Sequence, residues 1–467
     1  MRLLNPTILL WFAAATIGIP CVQGQPDPPA VLTYAEYIKR VTEYHPAARR
    51  AELPLLRAEA ERLAARGNFD PVLGADWQQK NFDNKLYYQI YQGELKVPTR
   101  LGIDVAGGYE NTAGDFLNPE NSTDRFGLWR VGLEADLLQG LFVNERNTQL
   151  RQADIAFRIA DNQRQQLLNE VIYEATAAYL YWQQYTAVQD IILQNIGIAR
   201  DYFFNTREAY FGGEKTAVDT LEAYLLLQDR NLLLRENSVA LTKAVTDLNT
   251  FVWDATGRGN LPAGVLPERG ALLFPQENLS ALTDSLVLQH PKLLEKRNKQ
   301  VSLNLEERLK REKLKPKLKA KYYPLLATSD EGVSPAFAWT DYKWGFDFSF
   351  PLLLRSERAG IQMTQVKIQS VSLDIQNTEN QLRNQIENAR IRQNILREQI
   401  ALQEQNTAGY LQLMNAENEK FRYGESSVFL LNKRQEKYIE SQIKLINLRT
   451  KYQAAVLQYL YYANRLL

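Results

Sequence analysis

The sequence predicts an α+β membrane protein, internally duplicated: a β-barrel shared between chains, four strands from each, continued by long α-helical coiled coils. Three observations point there. Landmarks recur along the chain at a nearly fixed offset. Proline and glycine are missing over stretches long enough for helices of unusual length. Segments of strict period-two alternation stand just before those stretches.

The duplication begins with "EYHPAARRAE" and "LQHPKLLEKR". His45 and His290 are the only two histidines in 467 residues, each precedes a proline, and they lie 245 residues apart (290 − 45). Two histidines invite a metal or acid–base reading, but no cysteine or Asp/Glu cluster stands at ligand spacing beside either one. Proline at the first helical position is pre-organised for helical φ and gives up an N–H that had no intrahelical partner. His-Pro is therefore read as a helix start, used twice.

The register persists. Pro71 and Pro316 break the two helical runs at the same offset of 245 (316 − 71), and Leu73, Ala75 and Trp77 then match Leu318, Ala320 and Tyr322. Further on, "YFGGEKT" resembles "FRYGESS", with Gly213 over Gly424 and Thr216 over Ser427. That offset is 211 (424 − 213), so the first copy carries about 34 extra residues (245 − 211) between the landmarks. The expected organisation is a signal peptide over 1–24, a first repeat over 25–253, a linker over 254–285 and a second repeat over 286–467.

The N-terminus fits that plan: Arg2, an apolar run from Leu3 to Ile19, and a cleavage point after Gly24. Cleavage there discards Cys21. The competing reading, a lipoprotein acylated on Cys21, meets an unsuitable residue in Pro20. Neither leaves a disulfide, and no later segment is apolar for the roughly 20 residues a membrane helix needs. With 55 basic and 54 acidic residues the formal charge is +1, which gives no reason to expect nucleic acid or a polyanion as partner.

No proline occurs from Glu120 to Leu261 or after Pro351, and Gly197 is the only glycine between Leu141 and Tyr210. A helix of about 70 residues is allowed there, on the order of 100 Å long. Thr216 to about Trp253 continues it, and the second copy repeats the pair from about Ile361 to Phe421 and from Ser427 to about Asn464. Ile368, Ile375, Leu382, Ala389 and Leu396 recur every seventh residue, a coiled-coil seam. Such helices must pack side by side.

Before each long helix the period changes to two. In "LWRVGLEADL" Trp129, Val131, Leu133, Ala135 and Leu137 oppose Arg130, Glu134 and Asp136. In "DYKWGFDFSF" Tyr342, Trp344, Phe346, Phe348 and Phe350 oppose Asp341, Lys343, Asp347 and Ser349. Lys317, Lys319 and Lys321 oppose Leu318, Ala320 and Tyr322. An aromatic face against a charged one suits a barrel between lipid and water, although a half-buried soluble sheet alternates in the same way. Two strands per copy make four per chain. An open edge in lipid leaves backbone groups unpaired, so several chains must share the barrel, and three give twelve strands.

With these pieces in order, the sequence resembles the TolC-like outer-membrane efflux protein family over about residues 30–465. The resemblance rests on the His-Pro helix starts, the strand-to-helix passages "LLQGLFVNER" and "FPLLLRSER", and the two aromatic-x-x-Gly-x-x-Ser/Thr turns. It implies a homotrimer in the outer membrane with its helices in the periplasm, in contact with outer-membrane lipid, a periplasmic membrane-fusion adaptor and an inner-membrane transporter. It implies no cofactor and no metal. The turns at Gly213 and Thr216, and at Gly424 and Ser427, become the tip where the adaptor docks. Asp219 and Glu222 correspond to the family's acidic aperture, Tyr210 to an aromatic of its gating links.

Departures from the family accompany the match. Leu430 and Lys433 stand in the second copy where Asp219 and Glu222 stand in the first, and Phe421 lacks the hydroxyl of Tyr210. Lys433 is a candidate partner for Asp219 across the aperture, mutual repulsion of the carboxylates being the alternative, and a merely solvated helix face a third. The extra "LKVPTRLGIDVAGGY" itself alternates and either replaces or extends the strand near Leu73, so the register over 72–110 stays open. Function is expected to be that of a passive duct of a tripartite efflux or type I secretion system, gated at its periplasmic tip. A secreted coiled-coil scaffold or adaptor without a pore is the rival, and no enzymatic constellation is visible.

Overall fold

The computed structural model describes residues 30–262, 264–269, 283–329, 332–333 and 340–467. The expected signal peptide with Cys21, and linker residues 270–282, lie outside the described residues.

In each repeat a shorter helix leads into one that starts at His-Pro. Helix α1 (Tyr34–Tyr44) stops at His45, which then caps α2 (Pro46–Gly67): its Nδ1 accepts from the Ala47 N–H at 3.2 Å. In the second repeat the short α5 (Thr283–Leu288) precedes α6 (Pro291–Glu312), and His290 Nδ1 accepts from the Lys292 N–H at 3.1 Å. Both helices are 22 residues long. The two histidines thus do the work usually given to Ser, Thr, Asn or Asp at this position.

Four long helices follow the strands: α3 (Glu145–Phe211), α4 (Ala217–Asn249), α7 (Arg355–Arg422) and α8 (Val428–Tyr462). At 67 and 68 residues, α3 and α7 extend about 100 Å. No single core serves them. Buried side chains instead form small clusters strung along the bundle. One gathers Tyr37, Val41, Ala175, Tyr179, Trp182 and Leu248. Another gathers Val287, Leu293, Ile386 and Tyr459, and a third Leu396, Tyr452, Ala455 and Val456. The heptad residues Leu382, Ala389 and Leu396 are all buried, so that seam faces inward.

The sheet corrects the expected count of four strands. Its long strands are β1 (Val72–Phe82), β2 (Lys85–Pro98), β3 (Ile103–Ala113), β4 (Leu128–Asp136), β5 (Lys317–Ser329) and β6 (Tyr342–Ser349), paired in that order and antiparallel throughout. Gly332–Val333 folds back on the end of β5. The first repeat supplies four strands and the second two. The reason is the 34-residue excess, which forms β2 and β3. An antiparallel wall accepts extra strands only in pairs, because an odd number would reverse the chain's direction at the next helix. The inserted alternation therefore neither replaces nor prolongs β1. Leu95 and Val97 close β2, Leu101 lies in a turn, and Ile103, Val105 and Tyr109 lie on β3.

Burial holds the His290 imidazole well below its ordinary 6.5, at about 4. Between those values the unfolded chain binds a proton that the folded chain refuses, so stability falls as pH drops through this window, by about 2–3 kcal/mol at its acid end. His290→Asn keeps a capping acceptor without the titration. Thermal melting followed by helical circular dichroism at pH 7 and 4.5 is expected to show a smaller acid loss in the variant; equal losses contradict the assignment.

Candidate functional site

Two regions carry candidate function: the faces of the sheet and the far end of the helices. Period-two geometry sends successive side chains to opposite faces, and the register then assembles each face across strands. On one face Val97, Val105, Leu133, Tyr322 and Trp344 form a continuous row over five strands. Trp77 pairs with Tyr91, and Phe346 with Ala320, on the same side. This face is apolar and open: Trp77 is 67% exposed, Leu133 51% and Trp344 60%. A patch this large on a protein in water would be a liability.

The other face is a lattice of charges. Glu134 of β4 accepts from Lys96, Tyr323 and, at 2.7 Å, Lys319. Asp104 of β3 is held by Arg146 of α3 at 2.7 and 3.3 Å. Arg130 reaches Glu94 at 2.7 Å, and Lys321 reaches Asp347 at 2.8 Å. Glu134 and Asp104 are buried and multiply partnered, as buried carboxylates must be. Lys96, Asp104 and Arg146 went unnoticed in the sequence, because their convergence depends on the inserted pair of strands.

At the other end, the two helical hairpins turn alike. Gly213 has φ +80° and Gly424 φ +76°, the left-handed conformation that ends a helix. Gly213 N–H donates to Tyr210 O at 3.0 Å, and Gly424 N–H to Phe421 O at 3.1 Å. Thr216 Oγ1 accepts from Asp219 N–H at 3.2 Å to cap α4, and Ser427 Oγ accepts from Leu430 N–H at 3.3 Å to cap α8.

The candidate aperture residues are only partly brought together. Asp219 Oδ2 accepts from the Thr216 N–H at 2.9 Å and hydroxyl at 2.8 Å, completing a capping box. Those hydrogen bonds hold its carboxyl below the usual range. Leu430 stands at the matching position in the second copy, so only the first tip has the box. Glu222 lies one turn on. Both carboxylates act on the phenol of Tyr202, which burial first of all pushes up to about 12. Tyr210 packs on Phe211 at 5.7 Å.

Within the chain, the candidate partner Lys433 lies along its own helix toward Glu436. Lys433 Nζ binds Glu436 Oε2 at 2.8 Å, one turn along its own helix, where a lysine finds a partner at little cost in order. Lys215 crosses between the tips, its ammonium 5.0 Å over the Phe421 ring. Tyr202 meets the same ring edge-on at 6.2 Å. The missing hydroxyl at Phe421 is thus answered by a cation on the ring face. Lys215 lay within the quoted turn "YFGGEKT", but only the fold puts it opposite Phe421.

Among the described residues no helix is long and apolar enough to cross a membrane, and no group of three His, Cys, Asp or Glu is placed to hold a metal ion. A curled antiparallel sheet with one apolar and one charged face, continued by paired long helices, is the fold seen in TolC-like outer-membrane efflux channels. Solved structures agree in fold over 92% of this chain. The outer membrane channel CmeC of Campylobacter jejuni is similar at TM-score 0.64 and 12% identity, with 85% of its chain covered. The outer membrane protein VceC of Vibrio cholerae is similar at 0.63 and 13%, with 95% covered. The open state of the Neisseria gonorrhoeae outer membrane channel MtrE is similar at 0.59 and 14%, with 88% covered. No family model matches the sequence, and no curated protein matches it.

Thr216→Ala removes one half of the capping box and Gly213→Ala imposes positive φ on a residue with a Cβ, each costing about 1 kcal/mol. Hydrogen exchange of the protein in detergent is expected to speed up over residues 209–222 in both variants and stay unchanged in β4 and β5. Uniform acceleration through the sheet contradicts a local role.

Proposed function

We propose that the protein is the outer-membrane duct of a tripartite efflux or type I secretion system, a passive conduit from periplasm to exterior. Three copies share one barrel, and their long helices form the periplasmic tunnel. The observation that carries this reading is the open apolar face of the sheet, with Trp77 and Trp344 about two-thirds exposed opposite a buried charge lattice. In lipid such a face is satisfied; in water it is not. A pore-free coiled-coil scaffold has no use for it, so that rival is not favoured.

The tip turns around Gly213, Thr216, Gly424 and Ser427 are the docking end for a periplasmic membrane-fusion adaptor and, through it, an inner-membrane transporter. Asp219 and Glu222 repeat around the trimer axis as a ring of carboxylates, with Tyr210 and Lys433 at its margin. Such a ring favours cations in the aperture and attracts divalent ions. Because Asp219 is also a capping residue, its isosteric amide is the appropriate probe: it removes charge and keeps an acceptor.

The duct is tested in planar bilayers. Purified protein is expected to insert and conduct, and Asp219→Asn with Glu222→Gln is expected to weaken cation preference and divalent block severalfold. Glu170→Gln, far along α3, serves as control and is expected to change neither. Absence of any conductance from detergent-extracted protein contradicts the duct. Conductance with unaltered selectivity in the double variant removes the aperture assignment alone.

A further inference from the structure

The inserted hairpin is too well built to be an ornament on the barrel rim. Its strands β2 and β3 run the full height of the wall: β2 pairs with β1 from Val72↔Lys96 to Phe82↔Lys85, and β3 pairs with β4 from Ile103↔Ala135 to Glu110↔Leu128. Asp83 and Asn84 turn the chain from β1 to β2 with φ of +53° and +57°, the left-handed pair of a two-residue hairpin that matches strand twist.

The opposite turn is fastened to the junction of sheet and helix. Asn144, the cap of α3, donates from Nδ2 to Arg100 O at 3.3 Å, and Arg146 in the first turn of α3 grips Asp104. Gly102, at φ +73°, lies so close that a Cβ would stand 2.8 Å from Gly140 O. The faces agree as well. Leu95 and Val105 join the apolar side and Lys96 and Asp104 the charged side, in phase with β4 and β5.

We infer that the hairpin β2–β3 is a structural segment of the barrel wall, so that each chain contributes six spanning strands and three copies close an eighteen-stranded barrel in place of a twelve-stranded one. The wall must close because β1 and β6 otherwise leave unpaired N–H and C=O groups in lipid. It closes with a second copy. β1 leaves a helix and β6 enters one, so β1 of one copy and β6 of the next run antiparallel with their apolar faces on the same side. Diameter grows roughly in proportion to strand number, so the outer lumen is wider by about half. The hairpin also brings Lys96 and Asp104 to the inner wall, so it sets charge as well as bore.

This inference rests on the trimeric duct proposed above, and one experiment separates the two. Single-particle imaging of the full chain in lipid nanodiscs, with copy number fixed by native mass measurement, counts strands in the barrel cross-section. Three copies and eighteen strands are expected, with β2 and β3 between β1 and β4. Three copies enclosing twelve strands, with the hairpin outside the wall, overturns the inference and leaves the duct standing. Particles without a membrane-embedded barrel overturn both. A variant lacking residues 85–113 adds a second reading: if it assembles, its barrel is expected to shrink by about a third, and an unchanged diameter contradicts the inference.

Discussion

On the proposed function the sheet lies in lipid, where backbone groups must find their hydrogen-bond partners in the protein itself, and most of the sheet's build follows from that constraint. A sheet satisfies it only by closing. In the proposed duct, closure between the antiparallel edge strands of neighbouring copies requires each chain to supply an even number, and the period-two register decides which side of each strand meets lipid. The register Val97–Val105–Leu133–Tyr322–Trp344 is the visible result, a row of apolar side chains unbroken across five strands. On the reverse the same parity gathers Glu134, Lys96, Lys319 and Asp104, which neutralise one another where water alone would otherwise face them.

The helices answer a different demand, reach without bulk. Helices α3 and α7 are too long to bury themselves in one core, and small clusters along the bundle replace it. Duplication supplies two nearly equal hairpins, and both turn on a left-handed glycine followed by a Thr or Ser cap. The two tips nevertheless differ in chemistry. The first carries the capping box of Thr216 and Asp219 and the carboxylate of Glu222, whereas the second offers Leu430 and Lys433. Lys215 over Phe421 ties the unlike tips together within one chain. A device that opens by separating hairpins would have to break that contact.

Much of this was legible in the sequence because it depends on periodicity, which survives without coordinates. The His-Pro starts, the heptad of Leu382, Ala389 and Leu396, the period-two faces and the glycine turns all rest on short-range geometry. The number of strands was not read correctly, although a local signal existed. Asp83-Asn84 between alternating segments is a hairpin turn, a two-residue signal far shorter than the repeats around it. The pairing of side chains between helices was illegible for a different reason. Lys433–Glu436 follows from i,i+3 spacing along one helix, but what lies over Phe421 depends on how helices rotate against each other, and no spacing within one helix encodes that.

On the proposed function the sheet stands between lipid and water. Nitroxide labels placed one at a time on β6, from Tyr342 to Ser349, test it in reconstituted vesicles through their accessibility to oxygen, which concentrates in lipid, and to a water-soluble nickel chelate. The account predicts alternation, with Tyr342, Trp344, Phe346 and Phe348 exposed to oxygen and Lys343, Gly345 and Asp347 to nickel. Equal access of nickel to both sets would contradict it and return the sheet to a soluble protein.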